Sequence, residues 1–268
     1  MVDLTMKTLV GLLTDFGLSD PFVGEVKATI FSICPEIEVI DITHNVERFN
    51  IRMGAFLLAT ATPFFPAGSV HLAIVDPGVG GGRRPIAVET SRSVYVGPDN
   101  GVLIPAATRE GIKHVYELTN RSLMRETISS TFHGRDVFAP IAAHLACGTQ
   151  PKETGEEIVN YEQLSFGEAK FDRRGITCEA IHIDRFGNII TSISQVNPDK
   201  LNSPPRVMIT IHSKRIRARL AKTYSDLGKK EVGLVSGSQG FLEIATREDN
   251  ASRKLNVKAG DTIRLSFN

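Results

Sequence analysis

The sequence predicts an α/β protein in two parts, an N-terminal α/β domain with a mainly parallel sheet and a C-terminal antiparallel β-barrel-like domain. Up to about residue 165, apolar positions alternate between helical and strand periods, which is typical of α/β layers. Beyond that point, short apolar runs recur about every 8–12 residues between turn residues, as in an antiparallel barrel or sandwich. With 41% hydrophobic and 23% charged residues, the composition is that of a globular protein.

In the first part, three segments have the signals of helices. One begins at Phe22, places apolar residues on a single face and stops at Pro35; a second begins after the capping residue Asn50; a third ends before Gly148. The helices are predicted over residues 22–33, 51–62 and 136–147. Strands are predicted over residues 8–13, 38–42, 70–75, 86–90, 93–96 and 115–118, with 86–96 forming a hairpin.

In the second part, the long helical patterns disappear. The polar stretch at residues 168–175 is the predicted linker, so the domains are predicted as residues 1–167 and 176–268. Strands are predicted over residues 176–183, 188–193, 207–211, 216–220, 231–235, 241–245 and 263–267.

Charge and cysteine usage restrict the class of protein. Lys and Arg total 31 against 30 Asp and Glu, so the formal net charge of +1 argues against a general binder of nucleic acid or anionic membranes. No run approaches the roughly 18 apolar residues of a membrane span, and we expect no signal peptide. Cys34, Cys147 and Cys178 are widely spaced, which predicts three buried thiols in a reducing cytoplasm rather than a disulfide framework.

Three polar clusters of the first domain follow strands or precede a helix, where ligands of α/β folds bind. Asp15, in the sequence TDFG, suits hydrogen bonding to vicinal hydroxyls, although a turn aspartate is the commoner role. A glycine-rich loop brings Asp76 near Arg83, whereas we expect Arg84 to be a solvated surface residue. His133 lies at the start of a helix, where both a functional and a structural role remain open.

Two turns of the second domain combine groups that suit a nucleoside or an amino acid. The sequence IDRFGN, at residues 183–188, places an acid, an aromatic ring and an amide together, which suits a purine. The sequence SGSQGFLEIA, at residues 236–245, offers small side chains and free backbone amides for a carboxylate. Either segment alone is equally consistent with an ordinary hairpin turn.

Taken together, the segments LLTDFG, VDPGVG with Arg83, FHGRD, IDRFGN and SGSQGFLEIA resemble one family over nearly the whole chain. It is the family of S-adenosylmethionine (SAM)-dependent chlorinases, fluorinases and hydroxide adenosyltransferases. The resemblance implies an α/β domain, a β-barrel-like domain and a homotrimer, with SAM bound between the N-terminal domain of one subunit and the C-terminal domain of the next. Asp76, Arg83 and His133 match the Asp-Arg-His set of the water-using branch, and no long insertion separates them.

The resemblance also implies an activity and a role for each matching residue. Water or hydroxide would attack the ribose C5′ of SAM, giving adenosine and methionine, with Asp76, Arg83 and His133 as catalytic residues. SAM would be the substrate, and no metal or other cofactor is expected. Two departures are the charged segment at residues 246–252 and Gln239, which stands where some halogenating members have arginine. The implied substrate-binding residues are Asp15 for the ribose, Asp184 for the ammonium, Phe186 and Asn188 for the adenine, Ser238 for the carboxylate, and the Ala245 backbone for the adenine edge.

Three other functions stay open on the sequence. A metal-dependent hydrolase would draw its oxygen and nitrogen ligands from several chain positions, although no HExxH or HxH sequence supports it. A SAM halogenase and a non-catalytic sensor of SAM or adenosine are the remaining alternatives. A methyltransferase is disfavoured, because no glycine-rich strand–loop–helix of that kind opens the chain. The candidate metal ligands are Asp15, Asp76, Asp99, His133 and Asp136.

Overall fold

The computed structural model describes residues 8–194 and 206–267, and these divide into two compact units at Ser165 and Phe166. The first unit contains a seven-stranded sheet in the order β2-β1-β3-β5-β4-β6-β7. Its strands are β1 (Leu9–Thr14), β2 (Glu38–Thr43), β3 (Val70–Ile74), β4 (Pro85–Thr90), β5 (Val94–Pro98), β6 (Ile112–Leu118) and β7 (Gly155–Glu157).

The sheet is mixed rather than uniformly parallel. The pairs β1–β2, β1–β3 and β3–β5 are parallel, whereas β4 and β6 continue the sheet in antiparallel pairs with β5, with each other and with β7. The inner strands of the parallel half, β1 and β3, are covered on both faces, as in a layered α/β sheet: five of the six residues of β1 and all five of β3 are buried. Its strand ends position the candidate site.

Helices cover both faces of this sheet. They are α1 (Phe22–Ile33), α2 (Ile51–Ala61), α3 (Ile104–Glu110) and α4 (Ala139–Ala146). α1 and α4 pack with β1 and β3 in one apolar cluster, and α2 and α3 pack in a second cluster with the other faces of those strands. Helix α2 begins as expected, because the Asn50 side chain accepts a hydrogen bond from the Met53 N–H at 2.9 Å.

The chain enters α4 through an unusual turn. Residues Gly134–Phe138 form a π-helical turn, which widens the helix next to His133 before the α-helical hydrogen bonding starts at Ala139. The helix ends as predicted at a glycine with positive φ, Gly148 at 100°.

The second unit is a closed barrel. Seven strands form a ring in the order β10-β14-β13-β12-β11-β15-β9, which the β9–β10 pairing closes, and β8 is added outside β9. The pairs are antiparallel apart from the parallel pair β12–β13. The elements are β8 (Lys170–Asp172), β9 (Gly175–Ile183), β10 (Ile189–Ser194), β11 (Arg206–Ile211), β12 (Lys214–Ala221), β13 (Val232–Ser236), β14 (Phe241–Thr246), α5 (Ala251–Leu255) and β15 (Thr262–Phe267).

The expectation of three free thiols was wrong. Cys34 and Cys147 form a disulfide between the ends of α1 and α4, with their Cα atoms 6.1 Å apart, and only Cys178 is a free, buried thiol among the described residues. The two cysteines are 113 residues apart, so no local spacing signals the bond. The two cysteines meet because α1 packs against α4, and this packing cannot be predicted from the spacing of the cysteines.

Within the described ranges, none of the helices is both long enough and apolar enough to span a membrane.

Candidate functional site

A pocket of about 300 Å³ opens in the first unit, where β1 and β3 end and the turn into α4 begins. A space of this size suits a small organic ligand, and its position agrees with the usual ligand side of parallel strands. The lining residues are Asp15, Phe16, Asp20, Phe22, Arg48, Phe49, Ile74, Asp76, Val79, Thr131, Phe132, His133 and Gly134.

Arg83 joins two of the lining residues, Asp76 and His133. Its Nε lies 2.9 and 3.0 Å from the two carboxylate oxygens of Asp76, and its Nη2 also donates to Asp76 Oδ2. The same Nη2 lies 2.9 Å from His133 Nδ1. All three predicted catalytic residues are therefore in one hydrogen-bonded group, with the side chains of Asp76 and Arg83 only 6% and 10% exposed.

Burial and a hydrogen bond from Arg83 together determine the protonation of His133. Burial, followed by the charge of Arg83, lowers the pKa of His133 below its ordinary value, so the ring is neutral at pH 7. Because an arginine N–H can only donate, Nδ1 accepts the Arg83 hydrogen bond and the ring proton lies on Nε2. His133 therefore offers an N–H donor rather than a lone pair on its Nε2 side.

Two loops carry this group, and they meet at Gly80. Gly80 has a φ of 74°, and a side chain there would overlap the carbonyl oxygen of Ser130. The Ser130 loop is in turn fixed by Asp136, which is fully buried and accepts a hydrogen bond from the Ser129 N–H at 2.9 Å. Asp136 thus supports the loop before His133 rather than facing a ligand.

Asp136 remains ionised in its buried position. Burial raises the pKa of its carboxyl, but the hydrogen bonds from Arg135 and from the Ser129 N–H outweigh burial and hold the pKa below its ordinary value. Arg135 Nε lies 2.7 Å from Asp136 Oδ1, and Arg135 also bonds Glu25 of α1 at 2.7 Å.

Asp15 also lines the pocket, and its carboxylate is already oriented. The backbone N–H of Phe49 donates to Asp15 Oδ2 at 2.8 Å. The rings of Phe16, Phe22 and Phe132 contact one another edge to face, with centroids 5.4–5.9 Å apart, and form an apolar wall. The pocket therefore combines acidic groups at two places with an aromatic side.

The structure also locates the remaining candidate metal ligands. Asp99 accepts hydrogen bonds from Arg84 at 2.7 and 3.1 Å, and Asp136 is bound by Arg135. Neither lines the pocket with Asp15, Asp76 and His133. In the part of the chain that the structure describes, no group of three or more His, Cys, Asp or Glu side chains is arranged to hold a metal ion.

The expectation for Arg84 was wrong. It is not a solvated loop residue, because its guanidinium pairs with Asp99, whose side chain is 4% exposed. The partner lies 15 residues along the chain and becomes a neighbour only through the β4–β5 pairing, so the glycine-rich loop by itself contains no sign of it.

The second unit holds the other predicted binding residues in two turns. In the turn between β9 and β10, Asp184 Oδ2 accepts from the Asn188 side-chain amide at 2.8 Å, and Oδ1 accepts from the N–H groups of Phe186 and Asn188 at 2.9 and 2.8 Å. This leaves the Phe186 ring 77% exposed. Ser238 is exposed in the turn between β13 and β14, whereas Ala245 is buried within β14.

Several site features were missed in the sequence. Asp20, Arg48 and Phe49 line the pocket, and Phe49 adopts a φ of 66°, which a bulky residue rarely does. In the second unit, Glu243 is only 6% exposed, and burial followed by the charge of Asp184 raises the pKa of its carboxyl. In the sequence, the one available signal for Glu243 is an acidic residue within an otherwise apolar strand. In the structure, the Tyr224 hydroxyl donates a hydrogen bond to Glu243 Oε2 at 2.5 Å.

Comparison with known families matches both parts of the chain. The model of the SAM hydroxide adenosyltransferase N-terminal domain matches residues 10–155, and that of the C-terminal domain of the same family matches residues 178–264.

Individual relatives agree over almost the full length. A protein named (R)-S-adenosyl-L-methionine hydrolase from Methanocaldococcus jannaschii is 38% identical over 97% of this chain and 96% of its own. One of the same name from Thermus thermophilus is 36% identical over 96% and 98%. A fluorinase from Actinopolyspora mzabensis is more distant, with 25% identity over 99% of both chains.

A solved structure has the same architecture. An uncharacterised conserved protein from Thermotoga maritima superimposes with a TM-score of 0.91 at 39% identity, covering 96% of this chain and 99% of the other.

Proposed function

The chain belongs to the SAM hydroxide adenosyltransferase family, and on this premise we propose that it hydrolyses S-adenosyl-L-methionine to adenosine and L-methionine. The observation that carries the proposal for the site is the bonded group of Asp76, Arg83 and His133 at the pocket.

The reaction is a displacement at the ribose C5′ carbon. A bond forms between the water oxygen and C5′ while the C5′–S bond breaks, and its electron pair goes to sulfur. Because the positively charged sulfonium leaves as a neutral thioether, the leaving group needs no proton. The catalytic requirement therefore falls on the nucleophile, which must be positioned in line with the C5′–S bond and must lose a proton.

Asp76 is the proposed proton acceptor. The assigned protonation of His133 supports this role, because a ring with its proton on Nε2 can orient a water molecule but has no free lone pair there. Arg83 holds the Asp76 carboxylate in place, and its Nη1, a buried donor without a partner among the described residues, could stabilise developing hydroxide.

Asp15 is the proposed ligand of the ribose hydroxyls. One of its oxygens is oriented by the Phe49 N–H, which supports a fixed carboxylate able to accept from two neighbouring hydroxyl groups.

The turns of the second unit are proposed to bind the rest of SAM. Asp184 would pair with the ammonium, Phe186 and Asn188 would contact the adenine, Ser238 would bind the carboxylate, and the Ala245 backbone would meet the adenine edge. The exposed ring of Phe186 beside the Asp184–Asn188 hydrogen bond supports stacking against a planar base.

The assembly and location are part of the same proposal. We propose a homotrimer with sites at subunit interfaces, for which sedimentation should give three times the 29.3 kDa chain mass. A cytoplasmic location is proposed together with the Cys34–Cys147 disulfide, a combination found chiefly in proteins of hyperthermophiles.

The activity is tested by incubating the purified protein with SAM in chloride-free buffer containing EDTA and separating the products by chromatography. We expect adenosine and methionine, and no requirement for a metal. Asp76→Asn should lower kcat by about 10²–10⁴-fold, the usual contribution of a general base. The matched control is Asp99→Asn, which also removes a buried carboxylate paired with an arginine but lies outside the pocket.

Each of these measurements has an outcome that would contradict part of the proposal. Loss of activity with EDTA would restore the metal hydrolase, and a 5′-halogenated product on adding chloride or fluoride would indicate a halogenase. Intact SAM with bound nucleoside would indicate a sensor. Adenosine formed equally well by Asp76→Asn would keep the reaction and remove Asp76 from its role.

A further inference from the structure

A chain of polar side chains lies behind the turn that carries Asp15. Thr14 Oγ1 lies 2.9 Å from His44 Nδ1, and both residues are buried, with exposures of 0% and 4%. On the far side of the ring, His44 Nε2 lies 3.0 Å from Asp41 Oδ1. Asp41 in turn pairs with Lys27 of α1 at 2.7 Å. This series of side-chain contacts therefore runs from Lys27 and Asp41 at the protein surface to Thr14 at the end of β1.

The chemistry of these groups determines which atom donates and which accepts at each contact. A carboxylate has no proton to donate, so His44 Nε2, the ring nitrogen that faces Asp41, is the one that carries a proton. Nδ1 then accepts from the Thr14 hydroxyl, and the Thr14 oxygen is left to accept from the N–H of Phe16, which lies 3.3 Å away. Thr14 Oγ1 therefore has a hydrogen-bond partner on each side, and the Nε2 edge of His44 faces the Asp41 carboxylate at 3.0 Å, a close electrostatic contact rather than an aligned hydrogen bond. Together these contacts favour one conformation of the turn.

The order Thr-His-Asp resembles that of a hydrolase triad, but Thr14 is not a nucleophile. Its side chain is fully buried, and its oxygen is occupied by the Phe16 N–H and the His44 ring. A nucleophile must reach its substrate, so the arrangement acts as a support.

The same segment holds Asp15 from a second direction. The carbonyl oxygen of His44 accepts from the Gly17 N–H at 2.8 Å, and Phe49, five residues after His44, donates its N–H to Asp15 Oδ2 at 2.8 Å. The side chain of His44 thus fixes Thr14, its backbone fixes Gly17, and the segment that follows fixes the carboxylate between them.

We infer that His44, acting through Thr14 and the backbone of Gly17, is a positioning residue that holds the Asp15 carboxylate in its substrate-binding orientation. The inference rests on the proposed function, in which Asp15 binds the ribose hydroxyls. A ribose diol needs both acceptor lone pairs at fixed places, so a loosened turn weakens this contact more than any other part of the ligand.

The test compares two ligands that differ only at the ribose. Binding of adenosine and of 2′,3′-dideoxyadenosine is measured by calorimetry for the wild type, His44→Gln and Thr14→Val. The wild type should prefer adenosine by about a hundredfold, the value of two hydrogen bonds to a charged group. Both variants should lose about tenfold of this preference, because the carboxylate is no longer held. Thr14→Ser, which keeps the hydroxyl, should keep the preference for adenosine of the wild type.

Steady-state kinetics with SAM give the second readout. The KM of His44→Gln and Thr14→Val should rise about tenfold while kcat changes less than about threefold, as expected for lost substrate binding. The matched control is His71→Gln, which replaces a buried histidine outside the pocket and should leave KM and the ligand preference unchanged. Thermal melting shows which variants are folded, and Thr14→Val decides the matter if His44→Gln does not fold.

The outcomes separate this inference from the proposed function. A wild type that neither hydrolyses SAM nor prefers adenosine would overturn the function and the inference with it. A wild type that does both, with folded variants that keep the full preference, would overturn the inference alone. Equal weakening of both ligands would also overturn it, because that result indicates a general structural role.

Discussion

Arg83 shows how one residue can organise a whole site. Its guanidinium donates to both oxygens of Asp76 and to His133, while its charged carbon lies 5.1 Å from the centre of the Phe138 ring. The planar fork of an arginine can make these contacts at once, whereas a lysine presents a single ammonium. Charge at this position is therefore less important than the directions of the N–H groups.

Arg83→Lys should lower kcat by about 10²–10³-fold, as when an oriented donor is removed from an active site. Adenosine release from SAM measures the effect. Arg84→Lys is the control, because Arg84 pairs with Asp99 away from the pocket, and its kcat should stay within about threefold of the wild type. Equal losses in the two variants would contradict a special role for the Arg83 fork.

His71 links stability to pH. It is fully buried between Phe65 and Tyr95, and its ring nitrogens have no hydrogen-bond partner in the described part of the chain. Burial, helped by the charge of Arg92, lowers the pKa of His71 to about 4. The unfolded chain, with an ordinary histidine pKa near 6.5, therefore binds this proton first as the pH falls.

The contribution of His71 to the free energy of unfolding should be complete above pH 6.5 and decline as the pH falls towards 4. The loss should reach about 3 kcal/mol, from the difference between the two pKa values. Urea denaturation at several pH values measures it, and His71→Phe should flatten this part of the profile. A profile unchanged by that substitution would assign the acid sensitivity to other groups.

At the scale of elements, the site depends on loops that fix one another. The glycine-rich loop reaches the Ser130 loop only because Gly80 has no side chain, and the π-helical turn Gly134–Phe138 begins directly after His133. A small displacement between the loops would separate Arg83 from His133 while leaving the sheet intact.

Gly80→Ala tests this docking. A Cβ atom at Gly80 would overlap the Ser130 carbonyl, and alanine is strained at a φ of 74°, so kcat should fall about 10–100-fold. Gly82→Ala in the same loop is the matched control, because a Cβ there meets no atom within 4 Å. Circular dichroism verifies that both variants keep their helices, and full activity in Gly80→Ala would show that the loops can move apart without cost.

The elements also show which features can be predicted from residue patterns. The cap at Asn50, the stop near Pro35 and the barrel strands have local causes, so the sequence predicts them well. The residue pattern does not predict α3 or α5, because helices of seven and five residues are too short to show a helical period. The Asp76–Arg83 contact could be expected from a short loop, but its extension to His133, 50 residues away, depends on tertiary packing.

At the scale of the molecule, the Cys34–Cys147 bond is a covalent constraint on the first unit. It joins α1 to α4 and closes a segment with a sequence separation of 113, which includes β2, β3, β4, β5 and β6. Closing so long a loop restricts the unfolded chain more than the folded one.

Reduction should therefore lower the free energy of unfolding of the first unit by about 4–5 kcal/mol, the value expected from loop closure. Guanidinium denaturation with and without dithiothreitol measures the change. Cys34→Ala with Cys147→Ala should remove the response to the reductant, and Cys178→Ala, which removes the free thiol, should keep it. A wild type with the same midpoint in both buffers would contradict the predicted contribution.

The ring of seven barrel strands has a consequence for the order in which the protein is made. β15 is the last of these strands along the chain, and it pairs with β11 on one side and β9 on the other. The barrel therefore stays open until β15 has left the ribosome, whereas the first unit already has all seven strands of its sheet by Glu157. The first unit can fold during translation, and a chain cut short before β15 exposes two unpaired strand edges, a surface prone to aggregation.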